Sequence, residues 1–139
     1  MMPIFYPGNV QEILDLGRYA YEMSRYSGLW SGFKIVTDIA DAFGSAIVHP
    51  ERININIPDF QYNGQPWKHT QNAKLVGHHS LPTEKEIHLG RIEAAKHFLA
   101  FNNINKITVQ SDKDSIGIIT AGKTYYCLLY TSPSPRDDL

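Results

Sequence analysis

The stretch Pro7–Thr37, PGNVQEILDLGRYAYEMSRYSGLWSGFKIVT, decides the fold of this chain. It reads as one helix and one strand with a glycine joint between them. Asn9 can cap the helix, and Glu12 stands at the spacing of a capping box. Apolar residues follow at Val10, Ile13, Leu14 and Tyr21, and Gly17 leaves room for a neighbour to approach. Arg25 lies near the helix C-terminus, where a cation suits the dipole. Gly28 supplies the stop. A helix over Asn9–Ser27 and a strand over Leu29–Val36 are expected, the strand apolar enough to be central.

Working outward, Ile4–Tyr6 is a strand candidate. Downstream, Thr37 and Asp38 can cap a second helix through Ile39, Ala40 and Phe43, ending near Gly44. Strand–helix–strand–helix alternation predicts an α/β fold with a parallel sheet. Ala46–Val48 and Ile53–Ile57 read as extended, and the alternation in ININ predicts one wet face. Pro58–Ser80 has little periodicity, includes Asn63-Gly64, Pro66 and Gly77, and is long for a loop, so it reads as a connector.

Thr83 and Glu86 form a second capping-box pattern, followed by a helix to about Asn102. Its expected buried face is Ile87, Ala94, Ala95, Phe98 and Phe101. Ile107–Val109 and Ile116–Thr120 then read as short strands. The final segment, Cys127–Leu139 (CLLYTSPSPRDDL), carries two prolines and two serines close together and predicts no regular structure. It resembles translated sequencing-adapter read-through, with a disordered tail as the alternative.

With 139 residues and 42% hydrophobic content the chain can hold one domain with a real core. Thirteen basic and fourteen acidic residues nearly cancel, and no basic run exists, which argues against nucleic acid as a partner. No apolar stretch approaches the roughly 20 residues of a membrane span, and a cytoplasmic location is expected. The single cysteine, Cys127, cannot make an intrachain disulfide or a four-cysteine cluster.

Gly117–Thr124 matches the phosphate-loop pattern G-x-x-x-x-G-K-[ST]. The mechanism needs a strand feeding the first glycine, but Ser111–Ser115 is polar and turn-like, while Ile118 and Ile119 belong in a strand. The preferred reading ends a strand at Ala121, turns at Gly122 and opens a helix at Lys123, whose N-terminus can still attract an anion. Six histidines are present, but no pair stands at i, i+4, and the side chains of adjacent His78 and His79 are expected to diverge. Glu12 is expected to cap its own helix, and Asp15 and Arg18 to be solvated. The aromatics Tyr19, Tyr21, Tyr26, Trp30 and Phe33 sit at core or subunit-interface spacing, with some of Tyr19, Tyr26, Trp30 and Phe33 forming a patch that seeks a partner. No Ser-His-Asp or Cys-His arrangement follows from spacing.

The blocks P-x-x-VQEILD-G and SRYSGLW-GFK-VTD resemble the large thiamine-dependent subunit of 2-oxoacid:ferredoxin oxidoreductases, in the long single-chain indolepyruvate ferredoxin oxidoreductase branch. The likeness resumes at Leu81–Pro82, follows the helix to Phe101 and returns in Ile116–Tyr125, so it touches most of Met2–Tyr126. It departs at Tyr19–Tyr21 and over Asp59–His79.

The resemblance implies an incomplete thiamine-binding, pyrimidine-domain-like fold. Residues 1–48 would be the C-terminal part of the pyrimidine-binding domain, and 49–110 a connector holding the helix at about 83–102. Residues 111–126 would start a transketolase C-terminal-like domain, and 127–139 would be a non-native tail. It also implies oxidative decarboxylation of an aryl pyruvate to acyl-CoA, with thiamine diphosphate, Mg2+ and [4Fe-4S] clusters as cofactors of the parent enzyme. Ferredoxin and coenzyme A would be its partners, alongside the remainder of the parent chain, in a homo-oligomer. The family's activating glutamate, diphosphate–magnesium site and cluster cysteines match no position here. No catalytic, cofactor-binding or metal residue is therefore carried over, the segment alone is expected to be inactive, and no cofactor is expected on it. The rival expectation is a non-catalytic small α/β binding or subunit-interaction module.

Overall fold

The computed structural model describes residues 2–74 and 76–131. Strand β1 (Ile4–Phe5) leads into helix α1 (Val10–Ser27), which returns the chain to β2 (Gly32–Phe33). The two strands pair in parallel, Ile4 opposite Gly32 and Phe5 opposite Phe33. Gly32 N–H donates to the Pro3 carbonyl and Lys34 N–H to the Phe5 carbonyl, each at 2.8 Å. This is a small βαβ unit, the arrangement that strand–helix–strand order predicts.

The ends of α1 form as the sequence demands. Asn9 is extended and its side chain accepts the Glu12 N–H at 2.8 Å. The return arm of the box lands one residue early, where Glu12 Oε2 accepts the Gly8 N–H at 2.7 Å. Gly28 ends the helix in the left-handed region at φ 75°, its N–H reaching the Ser24 carbonyl.

The buried face of α1 is rotated from the expected one. Ala20, Met23 and Ser27 are buried and Leu16 packs against the core, whereas Leu14 and Tyr21 face solvent. The reason is tertiary: α4 (Ile92–Phe101) crosses α1 on the Ala20–Met23 side. Gly17 is consequently not a close-approach point, since a Cβ there would meet nothing within 4 Å. Met23 and Phe98 are fully buried, with Phe5, Leu29 and Ala95 beside them. Tyr26 and Phe98 rings lie 5.9 Å apart, and Phe5 stacks on Phe33 at 6.5 Å. Tyr19, Tyr26 and Phe33 are thus partly buried against the core, and of the four aromatics some of which are expected to be exposed, Trp30 stands out in solvent.

The extended elements shrink where no partner pairs with them. β2 covers two residues rather than Leu29–Val36, and among the described residues it lies in a two-stranded sheet, not at a sheet centre. α2 (Thr37–Ala40) stops before Phe43, which is exposed, and Thr37 and Asp38 lie in its first turn instead of capping it. Ala46–Val48 and Ile53–Ile57 join no ladder among the described residues, although Ile53 and Ile55 are half-buried between exposed asparagines, as the alternation predicts. The connector holds a hairpin, β3 (Gln61–Tyr62) against β4 (Gln65–Pro66). Asn63 and Gly64 both take positive φ in its turn, at 53° and 73°, the demand of a tight hairpin.

The second capping box does not form. A short 3-10 turn at Gly77–His79 runs into α3 (Ser80–Glu86), so Thr83 lies inside the helix and its hydroxyl donates back to the His79 carbonyl. Glu86 is drawn away by longer-range partners. A π-helical turn, Ile87–Arg91, joins α3 to α4. The helix ends at Asn102, as expected, but Phe101 faces solvent because α1 covers only the Ala94–Ala95–Phe98 side.

Ile107–Val109 and Ile116–Thr120 are not strands. Their apolar residues are exposed, and β-propensity without a neighbouring edge makes no ladder. Gly122 turns at φ 60° and α5 (Lys123–Thr131) opens at Lys123, as expected. That helix overturns the expected irregularity from Cys127 through Thr131; residues 132–139 of the same segment lie outside the described residues. The described chain is 43% helix and 6% strand, a mixed helix-and-small-sheet fold compatible with the α/β class. Among the described residues no helix is long and apolar enough to cross a membrane.

Candidate functional site

The SRYSGL motif, Ser24–Leu29, folds into a joint at which α1 meets β2, the connector and the π turn. Ser24 Oγ donates to the Leu29 carbonyl at 2.7 Å, and Leu29 N–H donates to the fully buried Ser27 Oγ at 3.2 Å. These two hydroxyls satisfy polar groups that the end of a buried helix would otherwise strand. The Arg25 guanidinium lies over the Tyr21 ring at 5.7 Å. Tyr26 donates its hydroxyl to the Pro58 carbonyl at 3.1 Å, and burial, with Asp59 nearby, pushes its phenol up from the ordinary value.

Two residues from elsewhere close the joint. Trp67, just after the hairpin, donates its indole N–H to the Tyr26 carbonyl at 2.9 Å. Arg91 spreads its guanidinium over three acceptors: Nε to Glu86 at 2.9 Å, Nη1 to the Gly28 carbonyl at 2.8 Å and Nη2 to the Thr70 carbonyl at 2.5 Å. A cation against the last carbonyls of α1 also complements the helix dipole. Glu86 in turn accepts the Thr70 N–H at 2.9 Å. Burial raises the Glu86 carboxyl, but the Thr70 and Arg91 donors outweigh it and hold the group below its ordinary value.

The π turn seats Trp67. A Cβ on Gly90 would lie 2.7 Å from the Trp67 ring, so the indole occupies the space that a side chain would fill. Phe60 and Tyr62 rings pack on Trp67 at 5.8 Å each, and Phe60 also meets His97 at 4.8 Å. Chemically the joint fixes geometry: the donors and acceptors named are spent on one another.

A second polar cluster forms at the other end of α1. Tyr126 donates its hydroxyl to Glu12 Oε1, and Asn9 Nδ2 donates to the Tyr126 oxygen at 2.6 Å. Glu12 therefore caps its own helix, as the sequence predicts, and also accepts from α5.

Two adjoining open clefts flank α1, of about 670 and 440 Å3, sharing Arg18, Glu22 and Ile55. Arg18 reaches the Pro50 carbonyl at 3.0 Å. Asp15 is not simply solvated: it pairs with Arg52 at 2.7 Å and accepts Gln11 Nε2 at 3.1 Å. The Arg52 hydrogen bonds hold the Asp15 carboxyl below its ordinary value against the opposing effect of burial.

Gly117 lies in an exposed loop with no strand before it, so the glycine–lysine pattern lacks the strand–loop–helix context of a phosphate loop. The His78 and His79 rings do not diverge; their centroids are 4.0 Å apart. Among the described residues no group of three or more His, Cys, Asp or Glu is placed to hold a metal ion. A [4Fe-4S] cluster needs four thiolates, and the chain has Cys127 alone. A thiamine diphosphate is held through oxygen ligands on its magnesium, and among the described residues no three His, Cys, Asp or Glu side chains are grouped to supply them, so the described residues do not fit these groups.

Trp67, Thr70, Arg91 and Tyr126 stand outside the sequence reading. The bonds from Trp67 to Tyr26, from Arg91 to Gly28 and Thr70, and from Tyr126 to Glu12 run far along the chain, and no local spacing announces them. Compared with known proteins, the chain matches no family model, no curated protein and no solved structure.

Proposed function

We propose that this chain is a positioning part of the thiamine-dependent large subunit of a 2-oxoacid:ferredoxin oxidoreductase, in the indolepyruvate branch. The parent enzyme would convert an aryl pyruvate and coenzyme A to acyl-CoA, with ferredoxin as electron acceptor, in the cytoplasm. One observation carries the reading. The motif that bears the resemblance, SRYSGLW-GFK, folds as a helix-to-parallel-strand joint in which the small and polar residues each have a geometric task.

Within that reading the βαβ unit belongs to the pyrimidine-domain-like part, the joint anchors the connector through Trp67 and Arg91, and α5 opens the next domain. Because the residues present do not fit the cofactors, their role is to orient neighbouring parts of the parent protein, and no reaction step is assigned to them.

A non-catalytic interaction module is the second reading, favoured by the exposed Leu14, Tyr21 and Phe43 around α1 and α2. Expressing the whole reading frame that contains this chain separates the two. Indolepyruvate, phenylpyruvate and pyruvate are assayed for coenzyme A-dependent reduction of ferredoxin. Aryl pyruvate turnover supports the proposal. A wide preference for pyruvate overturns the substrate branch, and no reduction with any 2-oxo acid overturns the family.

A further inference from the structure

We propose that residues Tyr6–Glu12 form an intramolecular receptor for the Gly122–Tyr126 turn, with Tyr126 as the bolt that holds α5 on the body and lets it come away as a unit. This inference is independent of the proposed enzyme family.

Two separate features meet at this place. The first is backbone contact. A Cβ on Gly8 would lie 2.5 Å from the Gly122 carbonyl oxygen and 2.5 Å from the Tyr126 ring. A Cβ on Gly122 would lie 2.5 Å from the Tyr6 ring, and Gly122 turns at φ 60°. Glycine is thus required on both sides of one contact, across more than a hundred residues of sequence. Lys34 places its ammonium 4.5 Å from the centre of the same Tyr6 ring, which fixes the receptor's aromatic wall.

The second is a closed hydrogen-bond circuit. Asn9 gives its side-chain oxygen to the Glu12 N–H and its side-chain N–H to the Tyr126 oxygen. Glu12 gives one carboxylate oxygen to the Gly8 N–H and the other to the Tyr126 hydroxyl. Both residues that cap α1 are therefore used twice, once for their own helix and once for the incoming tyrosine. Burial and the facing Glu12 carboxylate hold the Tyr126 phenol above its ordinary value, so it stays a donor. A hydroxyl donating to a charged acceptor is among the stronger side-chain hydrogen bonds.

The approach to the receptor is a long exposed stretch. Residues 105–121 contain no helix or strand, and Ile107, Val109, Ile116, Ile118 and Ile119 are exposed. A segment held at its far end and weakly packed along its length opens locally before the core does. The body does not need the bolt for its own packing, because the core residues Met23, Ala95 and Phe98 come from α1 and α4.

Hydrogen exchange on the full chain tests this, followed by mass spectrometry of peptides covering 123–131 and of peptides covering α1 and α4. Tyr126→Phe removes the bolt, and Gly8→Ala blocks the seat by a different route. Either variant is expected to raise exchange in α5 by about ten-fold or more, with α4 and the C-terminal half of α1 within two-fold of the parent chain. Tyr125→Phe, which leaves the bolt in place, is expected to change nothing. Unchanged α5 exchange in both Tyr126→Phe and Gly8→Ala overturns the receptor. Equal acceleration of α5, α1 and α4 overturns the separable unit, since it makes Tyr126 part of the cooperative core.

Discussion

Asn102 grips Asn56 by both ends of one amide: its Oδ1 accepts the Asn56 N–H at 2.8 Å, and its Nδ2 donates to the Asn56 carbonyl at 2.8 Å. The side chain thereby supplies the extended segment 53–57 with a pair of bonds that a neighbouring strand would normally provide. The same Nδ2 also donates to the Phe98 carbonyl at 2.9 Å, so one residue ends α4 and pins the segment. Asn102→Ala is expected to lower unfolding stability by about 1–2 kcal/mol. Asn102→Asp keeps an acceptor but points a carboxylate at two carbonyls, and it should cost no less. Urea titration of the three proteins checks this, and an aspartate variant as stable as the parent would refute the two-ended grip.

The Arg91–Glu86–Thr70 set predicts an acid-sensitive joint. Glu86 and Asp15 both sit below their ordinary carboxyl values of 4.5 and 3.8 in the fold. The unfolded chain therefore binds more protons than the folded one between the two sets of values. Their stabilisation is fully present above the ordinary values and is lost as pH falls through the lower, folded ones. The urea midpoint should hold at neutral pH and drop on acidification below about pH 4.5. Glu86→Gln should start lower at pH 7 and fall less steeply. Parallel pH curves for the two proteins would show that Glu86 does not carry the effect.

Gly28 is required twice over. Its φ of 75° disfavours any Cβ, and a Cβ there would lie 2.6 Å from the His69 ring. Gly28→Ala is expected to cost about 1–3 kcal/mol. Adding His69→Ala removes the steric part and leaves the backbone part, so the double variant should recover some of the loss. Full recovery would mean that the left-handed turn contributes nothing; no recovery would mean that His69 already moves freely. Thermal unfolding of the single and double variants reads out the difference.

What the sequence discloses is what its local chemistry decides. Asn9, Glu12 and Gly28 bound α1 because caps and stops act within a turn of the residue that makes them. The alternation in Ile53–Ile57 discloses a half-wet extended segment, but not Asn102 as its partner. Thr83 and Glu86 carry the same pattern as a capping box, yet Glu86 goes to Arg91 and to Thr70, and the Thr70 partner lies sixteen residues away, outside the local window. Ile107–Val109 and Ile116–Thr120 have strand composition and no strand, because a ladder needs a second edge. The Asn63-Gly64 turn was visible as a dipeptide, but Gln61-Tyr62 and Gln65-Pro66 lack the alternating apolar flanks that would mark a hairpin. Trp67, Arg91 and Tyr126 are the least legible, since the bonds by which they tie the fold together run to Tyr26, to Gly28 and Thr70, and to Asn9 and Glu12, all far away in sequence.

The exposed apolar residues predict how the chain behaves at high concentration. Trp30 is 85% exposed and Phe43 98% exposed. Among the described residues neither is held by an aromatic neighbour, unlike Phe33, which stacks on Phe5. Large apolar side chains left in water favour contact with any surface that covers them. In the proposed parent enzyme that surface would be the rest of the subunit; for this chain by itself it would be another copy. The chain is therefore expected to associate as its concentration rises, with light scattering as the readout. Trp30→Ser with Phe43→Ser should reduce association while leaving the unfolding midpoint within about 0.5 kcal/mol equivalent, because neither residue contributes to the core. A double variant that associates as strongly as the parent would move the sticky surface to Ile116, Ile118 and Ile119. A double variant that unfolds early would place Trp30 or Phe43 in the packed body, contrary to the exposure that motivates the test.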